Sequence, residues 1–277
     1  MPNVTFKNLN GQGITLAAVI NFPSGFDESK KYPAVVVSHP GGGVKEQTAG
    51  LYTRKLAEHG LITIAFDRSY QGESTGEPRQ LENPYISTED VSAVIDYLTT
   101  LPYVDQDRIG AMGICAGAGY SANAAINDRR IKALGMVSAV NIGQMFRNGW
   151  DGSVKDADAL PYLEAGSTAR GAWEYYHTPR CEHPNAPGYT LARNLTQIIT
   201  YDAYSKAEAF LTQPILAVAG SNAGSKWMSD DLIARAASKD KTLHVVEGAD
   251  HMDLYDGLKY VDEAVSKLAP FFLARLK

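Results

Sequence analysis

Arg108-Ile109-Gly110-Ala111-Met112-Gly113-Ile114-Cys115-Ala116-Gly117-Ala118-Gly119-Tyr120 is the stretch on which the fold turns. Residues 108–114 read as a strand, residues 116–127 as a helix of small residues, and Cys115 alone separates them. A chain that passes from strand to helix across one residue has no room for side chains on either flank, and Gly113 and Gly117 remove them. The residue held between is thrust out of the turn. This is the Gly-x-nucleophile-x-Gly arrangement, with cysteine where serine is usual. The N–H groups that open the helix should lower the thiol pKa. A structural cysteine buried in a tight turn is the competing reading, and the strand–turn–helix context weighs against it.

Outward from that turn, strands and helices alternate. Residues 4–7, 14–22, 34–37, 61–66, 131–140, 215–219 and 242–246 read as the other strands, many of them short runs of β-branched residues. Helical spacing marks residues 48–59, 88–100, 226–237 and 258–276. The predicted architecture is α/β: a mainly parallel eight-stranded sheet with helices on both faces. The alternation fails between residues 141 and 210, a stretch with Trp150, Trp173 and six of the fifteen tyrosines. It is read as an inserted helical lid, leaving 1–140 and 211–277 as the core.

Composition narrows the function classes. With 26 basic and 31 acidic residues the 277-residue chain carries a net −5, so no global positive field invites nucleic acid or an anionic membrane. Its apolar runs are far shorter than a spanning helix needs. The first residues show no secretion signal, and two cysteines make no disulfide framework. A cytoplasmic protein is expected.

A cysteine nucleophile needs a base, an oxyanion hole and, usually, a group that orients the base. His251 follows the strand at 242–246 and precedes the last helix, well placed to return an imidazole to the site. His39-Pro40-Gly41-Gly42-Gly43 ends another strand; the N–H of Gly41 or Gly42, with that of Ala116, would form the hole, and His39 would be structural. The orienting acid is expected after strand 215–219, yet Gly220-Ser221-Asn222-Ala223-Gly224-Ser225-Lys226 contains none. Three readings stay open: Asn222 as orienter, a carboxylate from elsewhere (Glu46, Asp230 or Asp253), or a Cys–His dyad. The dyad, aided by Asn222, is preferred. Two glycine-rich segments, at 113–119 and 220–226, lack the spacing of a dinucleotide or phosphate loop. No cofactor and no metal are expected.

Together these residues resemble the α/β-hydrolase superfamily, and within it the dienelactone-hydrolase-like branch that uses cysteine. The likeness is tightest at 39–47, at Phe66-Asp67-Arg68-Ser69-Tyr70-Gln71-Gly72-Glu73-Ser74, at 113–117 and at 248–254. It implies the α/β-hydrolase fold, Cys115 as nucleophile, His251 as base, and Gly41 or Gly42 with Ala116 as oxyanion hole. Asp67 would brace its loop, and Glu46 would be the analogue of a glutamate near the resting thiol. The expected reaction is cleavage of an ester, lactone or thioester of a small-molecule acyl substrate through an acyl-Cys intermediate. Acyl transfer or carbon–carbon chemistry in polyketide metabolism is the first rival, a non-catalytic binding protein the second. Trp150, Trp173 and Tyr176 of the lid are the expected substrate contacts, and a homodimer is left open.

Overall fold

The computed structural model describes residues 2–155, 170–188 and 191–277. The eight strands are β1 (Asn3–Lys7), β2 (Thr15–Asn21), β3 (Tyr32–Ser38), β4 (Ile62–Phe66), β5 (Val104–Ile114), β6 (Ile131–Val137), β7 (Ile215–Gly220) and β8 (Lys241–Val246). They form one sheet of order β1-β2-β4-β3-β5-β6-β7-β8. β2 runs antiparallel to β1 and β4, and every pair from β4 to β8 is parallel. The β-branched run of β3 shows why the sheet is covered on both sides. Ala34 and Val36 point into one apolar cluster, Val35 and Val37 into the other, and all four are fully buried.

Helices α1 (Thr48–Ala57) and α10 (Leu258–Arg275) cover one face, while α2 (Pro84–Thr99), α3 (Ala116–Asn127) and α8 (Lys226–Arg235) cover the other. This is the α/β-hydrolase arrangement, and it agrees with the strand count and pairing sense read from the sequence. Several boundaries differ: β5 begins at Val104 rather than at residue 108, and two others have a local cause. α2 starts four residues before its expected start, because Asn83 accepts hydrogen bonds from the N–H groups of Tyr85 and Ile86, and Pro84 occupies the first turn, where a missing N–H costs little. β6 stops at Val137 because Ser138 turns the chain, with positive φ and its N–H donated to Val218.

Between β6 and β7 the described residues form short helices: α4 (Ile142–Asn148), α5 (Arg170–His177), α6 (Leu195–Ile198) and α7 (Ala207–Phe210). The part of the expected lid at 156–169 and 189–190 lies outside the described residues. Tyr201 and Tyr204 belong to the same buried cluster as α2 and α3, whereas Tyr175 joins the cluster of α1 and α10. No described helix is long and apolar enough to cross a membrane.

Candidate active site

Cys115 sits at φ 54°, ψ −124°, between the end of β5 and the start of α3. A left-handed φ is unfavourable for cysteine, and the surroundings impose it. The Cys115 N–H donates to Val137, while its carbonyl accepts from Ala118 and Val140. Both flanking glycines are required by close approach: a Cβ on Gly113 would collide with the Gly117 backbone, and one on Gly117 with the Ser38 and His39 carbonyls. The turn is thereby wedged between β3 and the new helix.

The N–H groups of Gly41 and Ala116 both face the sulfur and favour its thiolate. Of the two glycines expected for an oxyanion hole, Gly41 holds this position; Gly42 has positive φ in the turn beyond it. Arg68 supports this loop from beneath. Its guanidinium is fully buried and donates to the carbonyls of His39 (2.8 Å) and Pro40 (3.1 Å), to Gln71 (3.0 Å) and to Glu82 (3.2 Å). Glu82 also accepts from the Tyr120 hydroxyl at 2.5 Å. His39 is structural: its Nδ1 meets the Pro40 carbonyl at 2.8 Å, and burial, with Arg68 nearby, pushes its pKa well below the usual value.

His251 is 2% exposed, and its two nitrogens have different partners. Nδ1 lies 2.6 Å from the Ser225 hydroxyl and Nε2 lies 3.1 Å from the Tyr255 hydroxyl. Its backbone carbonyl accepts from Ser138 Oγ at 3.1 Å. The Trp150 ring stands edge-on to the imidazole, centroids 4.6 Å apart. The Tyr255 hydroxyl also interacts with the Cys115 sulfur, so one phenol touches both expected reacting groups.

Packing sets the charge state. Burial pushes the Cys115 thiol above its ordinary pKa, against the lowering effects of Tyr255, Ala116, Gly41 and Arg68. The lowered thiol pKa expected from the helix N-terminus is therefore corrected: loss of solvent outweighs the N–H groups. Burial alone pushes His251 down to about 3. At neutral pH the pair rests as thiol and neutral imidazole.

The group beside His251 Nδ1 is none of the carboxylates or the amide named from the sequence. Asn222 is exposed and donates to the Gly248 carbonyl at 3.2 Å. Asp230 pairs with Lys226 at 2.9 Å, and Asp253 accepts from the Asp250 N–H at 2.9 Å. Glu46 turns to the Lys45 ammonium, 2.6 Å away, where Asp67 (2.8 Å) and Glu73 (2.7 Å) converge as well. These three carboxylates are close enough together to suit a cation, but Lys45 already supplies the positive charge between them. Asp67 braces its loop as expected, accepting also from the N–H groups of Lys45 and Glu73. Ser225 is what meets the imidazole. It stands three residues beyond Asn222 in the same loop, a hydroxyl where a carboxylate or amide is expected. Tyr255 left a signal too, one helical turn after His251.

Of the expected substrate contacts, Trp150 covers His251, and the Tyr176 hydroxyl is buried with no hydrogen-bond partner among the described residues, near Gly43 and close enough to Cys115 to feel its charge. Trp173 is 60% exposed and stacks on His177, away from these groups. Cys181 is a free thiol beside Tyr175, as is Cys115 beside Tyr255.

The chain matches the model of the dienelactone hydrolase family over residues 17–137. It is 65% identical to the uncharacterized protein YcjY of Escherichia coli (strain K12), over 97% of each chain. The uncharacterized protein PA2218 of Pseudomonas aeruginosa is 36% identical, over 97% of this chain and 79% of its own. The PA2218 crystal structure superposes with a TM-score of 0.89, covering 99% of this chain and 93% of that one. More distantly, a thiohydrolase of Eupenicillium brefeldianum is 22% identical, over 98% of this chain and 93% of its own.

Proposed function

Because the chain belongs to the dienelactone hydrolase family and is an α/β hydrolase, we propose that it cleaves an ester, lactone or thioester bond through an acyl-Cys115 intermediate. The observation that carries this reading is the Cys115 elbow itself, a strained nucleophile position with the Gly41 and Ala116 N–H groups facing the sulfur. A carbonyl attacked by that sulfur develops its oxyanion where two fixed dipoles await it, with no reorganisation needed. The thiol proton goes to His251 as the S–C bond forms, and the resulting imidazolium returns it to the departing oxygen or sulfur. Water, deprotonated by His251, then attacks the acyl-Cys115 carbonyl; the acid leaves and the thiol is restored. The distant thiohydrolase relative supports a thioester among the candidate bonds. In this reading the described residues between β6 and β7 belong to a lid, and Trp150 and Tyr176 are its contacts with the acyl chain.

The test is peptide mass spectrometry after brief exposure to p-nitrophenyl acetate and to a short acyl thioester. An acyl adduct on Cys115, missing in Cys115→Ala and formed far more slowly in His251→Ala, is expected. No adduct and no turnover with either compound would sink the proposal.

A second reading follows from the low basicity of His251, which makes it a poor activator of water. The acyl group would then pass to another acceptor. A trapped acyl-enzyme that persists in buffer and discharges only on adding an amine, thiol or carbon nucleophile would favour transfer over hydrolysis.

A further inference from the structure

The expected reacting pair does not stand alone, for the Tyr255 hydroxyl bridges sulfur and imidazole. It lies 3.1 Å from His251 Nε2 and interacts with the Cys115 sulfur. The phenol is held there. Tyr255 is 2% exposed, on the single turn of helix α9 (Asp253–Asp256), with its ring edge-on to Tyr175 at 5.1 Å. The neighbouring Leu254 carbonyl accepts from the buried Tyr52 hydroxyl at 2.8 Å, which ties this turn to α1. Trp150 covers His251 from the lid side. The imidazole and the phenol are thus each held by buried neighbours on more than one side.

We propose that Tyr255 is a catalytic residue, the proton relay between Cys115 and His251. The S–H proton transfers to the Tyr255 oxygen while the Tyr255 O–H proton transfers to His251 Nε2. The sulfur electron pair released in that exchange forms the bond to the substrate carbonyl, whose π electrons move onto the oxyanion. Tyr255 ends the step as it began, a neutral phenol, and the net change is a proton moved from sulfur to imidazole. Reversing the path protonates the leaving group.

Ser225 completes the chain. When its hydroxyl oxygen accepts from Nδ1–H, Nε2 is left as the acceptor that the Tyr255 proton needs. The phenol has a second consequence. A side chain that contributes a donor and an acceptor between thiol and imidazole lets the two groups cooperate without the direct contact of a Cys–His pair.

This inference rests on acyl transfer at Cys115 for its chemical step, so the experiment separates the two. The acylation burst with p-nitrophenyl acetate is measured in mixtures of light and heavy water for the wild type and for Tyr255→Phe, which keeps the ring and its packing. Two protons in motion bend the wild-type dependence on deuterium fraction; the variant, slowed about 100-fold, should give a straight line. In parallel, iodoacetamide alkylation of Cys115 is followed in wild type, Tyr255→Phe, His251→Ala and the double variant. Members of one relay are not additive, so the double variant should react no more slowly than the slower single one. The relay is overturned if Tyr255→Phe acylates within about twofold of wild type, if the wild-type isotope dependence is straight, or if the two substitutions add. If no acyl-enzyme forms but alkylation is non-additive, the relay stands and the hydrolytic reading falls. If the acyl-enzyme forms as fast in Tyr255→Phe, the converse holds.

Discussion

Replacing Ser225 by aspartate installs, at the place the structure assigns to the histidine's partner, the carboxylate that the loop after β7 lacks. Ser225 Oγ is 2.6 Å from Nδ1 of a buried imidazole whose pKa is pushed down to about 3. A carboxylate in contact raises a cation's pKa by about 1–3 units, which would bring His251 to roughly 4–6. Each unit corresponds to about 1.4 kcal/mol, so the imidazolium formed during acylation gains about 1.4–4 kcal/mol. If that charge is fully developed at the transition state, acylation accelerates by about 10- to 1000-fold. Desolvation of the new carboxylate opposes the gain, since Ser225 is only 1% exposed. Its position just before α8, where Ser225 spends no hydrogen bond on capping, partly offsets this through the helix N-terminal N–H groups. The assay is the stopped-flow acylation burst as a function of pH, with Ser225→Ala as the opposite arm. Ser225→Ala leaves Nδ1 without its partner, a loss of about 1–3 kcal/mol, and should slow acylation. A folded Ser225→Asp with unchanged rate and pH profile, together with a Ser225→Ala as fast as wild type, would refute the reasoning.

Three further outcomes are expected. The folded protein keeps His251 neutral down to a pKa of about 3, whereas the unfolded chain protonates near the ordinary 6.5, so unfolding takes up a proton between these values and stability falls as pH falls. Urea unfolding of wild type and His251→Gln should show the wild type losing up to about 4–5 kcal/mol relative to the variant on acidification through that window, and parallel pH dependences would contradict it. Lys45→Met strips the buried Asp67 carboxylate of its ammonium and should destabilise by about 3–5 kcal/mol in denaturant titrations, partly recovered in Lys45→Met/Asp67→Asn, where a neutral amide oxygen still accepts from a backbone N–H. Trp150→Ala should alter acylation of bulky esters because the ring covers His251, while Trp173→Ala, at an exposed position, should leave it within about twofold; equal effects would deny the lid residues these separate places.

What the sequence made legible is what backbone geometry writes into residue type. Gly113 and Gly117 can be read because no Cβ fits where they stand, and the strands because buried parallel sheets need unbroken apolar runs. His251 is readable from its place between β8 and the last helix. Side-chain direction is not written in this way. Glu46 follows the oxyanion loop in sequence, yet Lys45 captures its carboxylate. Asn222 and Ser225 share one loop, and only the turn into α8 decides which of them reaches the imidazole. Trp150 and Trp173 look equivalent in composition, but one roofs His251 and the other faces solvent. The charge state was the hardest to foresee, because helix dipole and burial oppose each other at Cys115 and only the packing reveals which is larger.

That charge state constrains the chemistry. Burial holds the thiol above its usual range and the imidazole down at about 3, so the ion pair is disfavoured from both sides in the resting site. The cheaper course moves the proton as sulfur closes on the carbonyl, when negative charge passes from sulfur to an oxyanion held by the Gly41 and Ala116 N–H groups. A neutral serine beside Nδ1 suffices under those terms, because the imidazolium never stands alone opposite a thiolate. On the proposed mechanism the free protein holds a thiol that ordinary electrophiles find slow, and a substrate carbonyl placed against the Gly41 and Ala116 N–H groups is what makes it reactive.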